Sequence, residues 1–221
     1  MMARTGRPRS AEADAAILDA TREALVEQGW GGLTMADVAA RAGVAKTTLY
    51  RRWANRNELV VDALGALFDE LRMPDHGTLA ADIEDVVLQF AALLDRPEVR
   101  TALMAVIAES SHDEGLRRRV RTAIVDRQKR LVVLGRHRAQ RRGEIPPDDG
   151  TAATRAQVDL VFDVVAGAVV HRILVSGERV DAAWAAALSG LLREGLAGGR
   201  GGLGGGREGL GGGREGLGGG R

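Results

Sequence analysis

The chain has 221 residues, of which 45% are hydrophobic and 28% charged, and its net charge is only +1. This composition is close to that of soluble globular domains and excludes wholesale disorder, while the absence of cysteine excludes disulfide bonds and thiolate chemistry. The first residues lack the apolar stretch of a signal peptide, so we expect a cytoplasmic protein in which any attraction to nucleic acid depends on local clustering of charge.

The first ten residues predict a flexible basic arm, because Arg4, Arg7 and Arg9 surround a glycine and a proline and no apolar residue recurs at a regular spacing. Arginines on either side of a proline can lie in an A·T-rich minor groove. The alternative is a solvated tail that adds only non-specific attraction.

Two helices follow the arm. Ser10 is a suitable N-cap, and apolar residues recur at helical spacing from there until Gly29, which predicts the first helix. The second helix begins after Thr34, which stands three residues before Asp37 in the pattern of a capping box, and ends at Gly43.

A third helix is expected to begin near Ala45, immediately after the glycine turn. Leu49 and Trp53 lie four residues apart and provide one apolar stripe for it. Two short helices joined by a glycine turn are typical of the helix-turn-helix. Ala45 offers no side chain to cap this helix.

The side of the third helix opposite the apolar stripe is polar. A DNA major groove offers guanine O6 and N7 to arginine or lysine, thymine methyl groups to threonine, and phosphates to tyrosine hydroxyls and basic side chains. This surface therefore predicts DNA contact, with a merely solvated face as the alternative. On a helical wheel, Thr47 and Arg51 lie opposite the stripe, with Lys46 and Tyr50 on one edge and Thr48 and Arg52 on the other.

The remainder of the chain predicts a helical bundle. An arginine-rich stretch, residues 117–142, carries an apolar stripe, so that most of its basic side chains are expected on a solvated face and the rest paired with acidic neighbours. Predicted helices span residues 58–72, 79–94, 98–109, 116–142, 152–175 and 181–196.

The penultimate helix is apolar on nearly all sides. Its apolar run, residues 158–175, is interrupted by charged residues that a bilayer centre would disfavour, so we expect a buried helix and no membrane span. Such a helix must be covered on both sides. The chain's own core can cover one side, and a second copy of the chain can cover the other.

A seven-residue repeat rich in glycine runs from Arg193 to the last residue. Glycine disfavours a helix and one leucine per repeat buries little surface, so residues 198–221 are expected to be disordered. A partner-binding role for this tail is the alternative.

The stretch GLTMADVAARAGVAKTTLYRRWANRNEL, residues 32–59, resembles the DNA-binding domain of the TetR/AcrR family of bacterial transcriptional regulators, and the resemblance extends over about residues 17–64. It implies that Thr34 contacts a phosphate from the first turn of the second helix. It also implies that Arg56 holds a phosphate at the start of the fourth helix. The implied DNA contacts of the third helix are bases for Lys46, Thr47 and Arg51, and the backbone for Tyr50 and Arg52, with Thr48 beside them.

The resemblance implies an all-α protein with an N-terminal three-helix helix-turn-helix DNA-binding domain, followed by a C-terminal helical bundle for ligand binding and dimerisation. The expected boundaries are 1–10 for the arm, 11–57 for the DNA-binding domain, 58–197 for the bundle and 198–221 for the tail. Function is expected to be that of a homodimeric repressor on a palindromic operator in double-stranded DNA, released by a small-molecule effector. A helical architectural or interaction protein is the alternative.

Two further sets of residues are candidates within the bundle. The first set contains polar or flexible side chains that could line an effector cavity. The second set lies on the last two helices, because the resemblance implies that these helices pair with those of a second subunit. The cavity candidates are Gln89, Met104, Glu109, His112, Gln128, Phe162 and His171. The dimer candidates are Val158, Phe162, Val165, Val169, Trp184, Leu188 and Leu191.

Nothing in the sequence indicates an enzyme. The four histidines, at positions 76, 112, 137 and 171, lack the short spacings of a zinc site, and there is no glycine-rich phosphate loop or nucleophile motif. We therefore expect no cofactor and no metal ion.

Overall fold

The computed structural model describes residues 8–197, with side chains described for residues 11–196. This part of the chain is helical and contains no strand, which confirms the predicted all-α class. None of the helices within it is long and apolar enough to cross a membrane. In chain order they are α1 (Pro8–Gly32), α2 (Met35–Arg41), α3 (Lys46–Tyr50), α4 (Arg56–Phe68), α5 (Leu79–Leu94), α6 (Pro97–Ser110), α7 (Glu114–Val120), α8 (Asp126–Arg141), α9 (Ala152–Val170) and α10 (Ala182–Ala197).

Two π-helical segments extend these helices. The first, Arg121–Val125, joins α7 to α8 without a break, so that the single helix predicted for residues 116–142 is one continuous helical path. The second, His171–Val175, continues α9 to the residue at which that helix was expected to end.

The first helix is longer at its start than the sequence predicts. It begins at Pro8, two residues before the predicted N-cap Ser10, because proline fits the first helical turn. The predicted arm, residues 1–10, is therefore helical from Pro8 onward. At Gly29, the residue expected to end α1, φ is 66° and the helix is broken before it resumes to Gly32.

The start of α4 is set by a reciprocal cap. The side-chain oxygen of Asn55 accepts a hydrogen bond from the backbone N–H of Glu58 at 2.9 Å, and the carboxylate of Glu58 accepts one from the N–H of Ala54 at 3.0 Å. This arrangement satisfies backbone donors that a helix start leaves unpaired. The helix therefore begins at Arg56, two residues before the predicted position.

The end of α4 is set by a residue of α5. The chain leaves the helix after Phe68, although the sequence predicts helix to residue 72. The side-chain amide of Gln89 accepts a hydrogen bond from the backbone N–H of Arg72 at 3.0 Å and donates one to its carbonyl at 3.2 Å. These two bonds satisfy the backbone N–H and carbonyl of Arg72, which no longer have partners within a helix. Gln89 therefore has a structural role.

α4 occupies the centre of the described chain. Eight of its thirteen residues are buried, and it packs against α1 and α6 as well as α7 and the adjoining π-helical segment. A Cβ atom on Gly65 would lie 3.1 Å from the carbonyl oxygen of Ala123 in that segment. Glycine at this position therefore permits the two helical paths to approach closely.

The arginine-rich stretch differs from its prediction, because at least seven of its basic side chains form ion pairs within the described residues. Several of these pairs join separate helices, such as Arg119 of α7 with Asp62 of α4. The stretch is therefore a set of cross-links between helices rather than mainly a solvated face. The paired side chains are Arg118, Arg119, Arg127, Lys129, Arg136, Arg138 and Arg142.

A buried carboxylate is at the centre of one such cross-link. Asp82 has no exposed surface, and its two oxygens accept hydrogen bonds from the guanidinium of Arg142 at 2.9 Å and from the backbone N–H of His76 at 2.6 Å. Arg142 also pairs with Glu144, which accepts from the N–H of Leu79 at 2.7 Å. These bonds connect the start of α5, the end of α8 and the loop between α4 and α5.

The imidazole of His76 connects the same loop to α5, since its Nε2 lies 2.6 Å from a carboxylate oxygen of Asp85. The hydrogen bond to Asp85 raises the pKa of His76 above its ordinary value of 6.5, and the same bond lowers the pKa of Asp85. A raised histidine pKa stabilises the fold fully below the unfolded-state pKa, and this stabilisation is lost as pH rises through the folded-state pKa.

We predict that Asp85→Asn lowers the pKa of His76 toward 6.5 and removes the part of the pH dependence of unfolding that lies between pH 6.5 and the raised pKa. The measurement is an NMR titration of the imidazole, assigned with His76→Gln, together with denaturant unfolding across that pH range. An unchanged titration midpoint in Asp85→Asn would contradict the assigned cause.

Candidate nucleic-acid interface and effector cavity

The turn between α2 and α3 has the geometry that the helix-turn-helix pattern predicts. Gly43 adopts a φ of 64°, which glycine tolerates without a Cβ penalty. The N–H of Val44 donates to the carbonyl of Ala39 at 3.0 Å, and that of Gly43 donates to the carbonyl of Ala40 at 3.2 Å. These two bonds form a Schellman motif, which ends α2 and directs the chain into α3.

The apolar side of α3 is anchored as expected. Leu49 has no exposed surface and Trp53 is buried, while no side chain caps the helix at Ala45. The indole N–H of Trp53 donates to the carboxylate of Asp62 in α4 at 2.8 Å, and the same oxygen accepts from Arg119 of α7 at 2.7 Å. The side chain of Asp62 therefore joins the DNA-binding unit to the helices behind it.

The opposite side of α3 presents what we call the reading face: Lys46, Thr47, Tyr50 and Arg51. All four side chains are exposed, and none of them hydrogen-bonds or ion-pairs with another residue of the described chain. Backbone bonds such as that from the N–H of Arg51 to the carbonyl of Thr47, at 3.1 Å, extend the helical turn beyond Tyr50. The reading face is therefore a continuous polar and basic surface on a rigid support.

Two threonines predicted to contact DNA lie beside this face. The hydroxyl of Thr34 caps α2 by accepting a hydrogen bond from the N–H of Asp37 at 3.1 Å, and the residue is exposed, so its hydroxyl hydrogen is available to a phosphate. Thr48 is half-buried on the edge of α3.

Arg52, predicted to contact the DNA backbone, also has a role within the chain, and its DNA contact stays a prediction. Its guanidinium forms an ion pair with Asp14 of α1, and only 19% of its side chain is exposed. Because this pair joins the end of α3 to α1, Arg52 holds the recognition helix in place. The sequence could not show this, since the two residues are far apart along the chain.

Arg56, predicted to contact a phosphate, also has contacts within the chain, and its DNA contact stays a prediction. Its guanidinium donates to the carbonyl of Trp30 at 3.1 Å, is within 3.5 Å of the carbonyl of Leu33, and lies 4.8 Å from the centre of the Trp30 ring. Arg56 thus fixes the connection between α1 and α2 against the start of α4. Both hydrogen bonds come from Nη1, so the N–H groups of Nε and Nη2 remain for other acceptors.

The basic arm cannot be placed. Arg4 and Arg7 lie outside the described residues, and the side chain of Arg9 is not described. Its proposed position in a minor groove stays a prediction.

A cavity of about 100 Å³ lies between the end of α4 and helices α5, α8, α9 and α10. Its walls are almost entirely apolar, and two polar side chains, Gln128 and Arg136, take part in them. Among the predicted cavity residues, Gln128 and Phe162 line it. The other lining residues are Phe68, Leu71, Met73, Leu79, Ile83, Val86, Phe90, Leu131, Val132, Gly135, Val161, Val165, Ala166 and Leu196.

The remaining five cavity candidates do not line this cavity, and a role for them in effector binding stays a prediction. Gln89 binds the backbone of Arg72, while the other four residues are exposed on helices or, for His112, in the turn between α6 and α7. The four exposed residues are Met104, Glu109, His112 and His171.

The predicted dimer residues are largely on the inward side of their helices. Val169 and Leu188 are buried in the chain's own core, and Phe162 and Val165 line the cavity. Val158 and Trp184 are half-buried, and the ring of Trp184 lies 5.1 Å from the guanidinium of Arg172. Among these seven residues, Leu191 is the one with a largely exposed side chain, with an exposed fraction of 70%.

The apolar residues that α9 and α10 expose form a different set, which we call the outer face: Leu160, Val164, Val175 and Leu191. Their exposed fractions are 55%, 38%, 69% and 70%. The helical wheel places Leu160, Val164 and Val175 on the second apolar side of α9, so the sequence contained this signal. Which of the two sides faces the core is decided by packing against α5 and α8.

The described residues contain no group of three or more acidic or histidine side chains that could hold a metal ion. The polar groups of the reading face are instead hydroxyl groups and basic side chains.

Residues 17–63 match the family described as bacterial regulatory proteins, tetR family, and residues 73–192 match the tetracyclin repressor-like C-terminal domain. The first match covers the helix-turn-helix and most of α4, and the second covers the helices that enclose the cavity. The matches are separated by residues 64–72, which contain the end of α4 and the start of the loop to α5.

Individual proteins give the same result over most of the chain. The chain is 28% identical to the uncharacterized HTH-type transcriptional regulator YdeS of Bacillus subtilis, over 82% of this chain and 88% of that protein. It is 30% identical to the DNA-binding transcriptional repressor TetR of Mycobacteroides abscessus, over 76% of this chain and 85% of that protein. The crystal structure of the TetR family transcription regulator SCO0332 superposes with a TM-score of 0.68, at 32% identity over 84% of this chain and 98% of that one.

We predict that Arg56→Ala lowers the free energy of unfolding by about 1 to 3 kcal/mol, because two carbonyl acceptors lose a charged donor. The matched control is Arg51→Ala, which removes an exposed arginine without a partner in the described chain and is expected to leave stability unchanged within about 0.5 kcal/mol. Denaturant unfolding measures both. Equal stability of the two variants would mean that Arg56 does not hold the α1–α2 connection.

Proposed function

Because the chain belongs to the TetR family of bacterial transcriptional regulators, we propose that it is a dimeric repressor that binds a palindromic operator and is released by a small molecule in its cavity. As a family member it is a DNA-binding transcription factor and not an enzyme. The observation that carries the proposal is the reading face, whose four side chains are exposed and have no partner in the described chain. The proposed site of action is the cytoplasm, where a bacterial regulator meets DNA.

The reading face has the chemistry for base recognition. Arg51 and Lys46 can donate to guanine O6 and N7, and Thr47 can contact a thymine methyl group. Tyr50 and Thr34 offer hydroxyl groups to phosphates at the edges of the same surface. Arg52 and Arg56 support this surface from behind through their bonds to α1 and to the α1–α2 connection.

The outer face supports a dimer. Four large apolar side chains on α9, its π-helical extension and α10 are exposed in the single chain, and exposed apolar surface of this kind marks contacts with other proteins. A symmetric partner would cover it with the same residues. Two reading faces could then enter successive major grooves about 34 to 36 Å apart, which requires a palindromic site.

α4 is the proposed connection between effector and operator. Phe68 at its end lines the cavity, and its carbonyl accepts a hydrogen bond from the cavity residue Gln128 at 2.9 Å. Nearer its start, Asp62 holds Trp53 of the recognition unit. An effector that binds one position of α4 more tightly than another would change the spacing of the two reading faces, and only that difference in affinity can drive release.

We predict that Arg51→Ala reduces operator affinity by about 1 to 3 kcal/mol per half-site and relaxes the base preference at the contacted position. Arg130→Ala is the matched control, because it removes an exposed arginine on α8, outside the helix-turn-helix. Footprinting on the region upstream of the gene, followed by titration of wild-type and substituted sites, measures both effects.

A symmetric protected site whose base preference Arg51→Ala relaxes is expected. Diffuse, salt-sensitive coverage that does not distinguish sites would contradict the repressor and favour an architectural DNA-binding protein.

We predict that Leu191→Arg converts the dimer to a monomer at micromolar concentration, because a charge would be buried in the outer face. Val133→Arg is the matched control, since Val133 is 53% exposed on α8, outside that face. Sedimentation velocity measures the oligomeric state. A wild-type chain that sediments as a monomer, or two variants with the same behaviour, would contradict this interface.

A further inference from the structure

The cavity between the end of α4 and helices α5, α8, α9 and α10 has walls with essentially no polar surface. All three phenylalanines of the chain line it, and most of the other lining residues are aliphatic. The rings of Phe68 and Phe90 have their centroids 5.8 Å apart and are tilted by 55°. A ligand in this cavity therefore meets almost only apolar atoms.

The two polar residues of the wall, Gln128 and Arg136, contribute carbon atoms to it. The amide nitrogen of Gln128 donates to the carbonyl of Phe68 at 2.9 Å, and Nη2 of Arg136 donates to the carboxylate of Asp148 at 2.6 Å. The amide oxygen of Gln128 and the Nε and Nη1 atoms of Arg136 are buried and have almost no accessible surface. The hydrogen-bonding groups of both residues are therefore out of reach of a ligand in the cavity.

Such walls disfavour any polar group on the ligand, because that group would lose its hydrogen bonds to water and gain none in return. Transfer of an unpaired hydroxyl group into an apolar environment is unfavourable, and transfer of a charged group is far more so. A hydrocarbon group has no such cost and gains free energy when its surface is removed from water. The cavity is therefore expected to bind a hydrocarbon more tightly than a hydroxylated or charged analogue of similar shape.

The volume of the cavity, about 100 Å³, limits the size of that hydrocarbon. A dry apolar cavity of about 150 Å³, lined by leucine, isoleucine and phenylalanine, binds benzene. The volume here is of the same order and suits one six-membered ring rather than a fused ring system. Met73 in the wall can adapt to a small substituent on the ring, because a methionine side chain is flexible.

The position of the cavity gives such a ligand access to α4. Phe68 is the last residue of that helix and lines the cavity, and its ring contacts that of Phe90 in α5. A ring bound beside Phe68 gains the most contacts in the position of α4 that leaves room for it. Binding would therefore favour that position over the others.

We propose that the effector is a small hydrocarbon with one six-membered ring and no hydrogen-bonding or charged group, of which benzene and toluene are the simplest examples. This inference rests on the proposed function, in which the cavity is the effector site, and it adds the class of molecule that the site binds.

Three probes of similar shape test the class with the full chain by isothermal titration calorimetry. Toluene is a pure hydrocarbon, phenol carries a hydroxyl group in place of the methyl group, and benzoate carries a carboxylate there. Toluene is expected to bind at least about tenfold more tightly than phenol, because the hydroxyl group finds no partner, and benzoate is expected not to bind.

Two variants assign the binding to the cavity. Ala166→Leu on α9 fills part of the space and should reduce the affinity for toluene by at least about tenfold, because a packed interior admits no ring without repacking. Val86→Phe fills the space from α5 and repeats the test if the first variant does not fold. The matched control is Ala108→Leu, which makes the same change at an exposed position of α6 and should leave the affinity unchanged. Circular dichroism verifies folding.

Operator affinity, measured with and without toluene, separates an effector from a molecule that merely occupies the cavity. Saturating toluene is expected to weaken operator binding by the wild-type chain and by Ala108→Leu, and to have no effect on a folded cavity-filling variant. Toluene that binds in the cavity but leaves operator affinity unchanged would overturn its role as effector.

The order of affinities in the wild-type chain decides the ligand class without any variant. Phenol or benzoate that binds as tightly as toluene would overturn the class, and so would unchanged toluene affinity in a folded cavity-filling variant. If the chain binds no operator but shows the expected order, the proposed function fails and the preference of the cavity for hydrocarbons stands. If operator binding is intact and toluene does not bind, the ligand class fails alone.

Discussion

The burial of α4 on nearly all sides is the constraint on which the rest of the structure depends. A helix that packs on α1 and α6 and also on the α7–α8 path cannot shift without repacking its neighbours. The reading face is fixed to it through Asp62 and Arg56, and the cavity is closed by Phe68 at its other end. A change at the cavity is therefore expected to reach the DNA-binding unit as a movement of one packed element.

The arginines of this chain differ in whether they form ion pairs or hydrogen bonds with other residues of the chain, and this difference indicates their roles. Arg52 and Arg56 are within the recognition region, yet both are used to hold α3 and α4 in place. The arginine-rich stretch 117–142 is the densest in charge, but much of its charge is used in cross-links between helices. Lys46 and Arg51 have no partner in the described chain, and they are the basic groups of the recognition helix that we propose as DNA contacts.

The two apolar sides of α9 serve different surfaces. The side that contains Val161 and Val169 packs inward, and part of it encloses the cavity. The side that contains Leu160 and Val164 is exposed, as is Leu191 of α10. In the proposed function, the effector and the second subunit would therefore contact opposite sides of α9. A ligand that moves α9 would then also move the proposed dimer contact.

The sequence alone determined the helices, the glycine turn and the reading face, because caps, apolar periodicity and positive-φ glycines act over about four residues. Only the tertiary structure decided the partners of Arg52, Arg56 and Asp62, the cavity walls, and which side of α9 is exposed. These features join residues distant along the chain, such as Asp62 and Arg119, whose meeting depends on how helices pack. Local pattern carries no information on that packing, so it could predict the exposed side of α3 but not the walls of the cavity or which side of α9 is exposed.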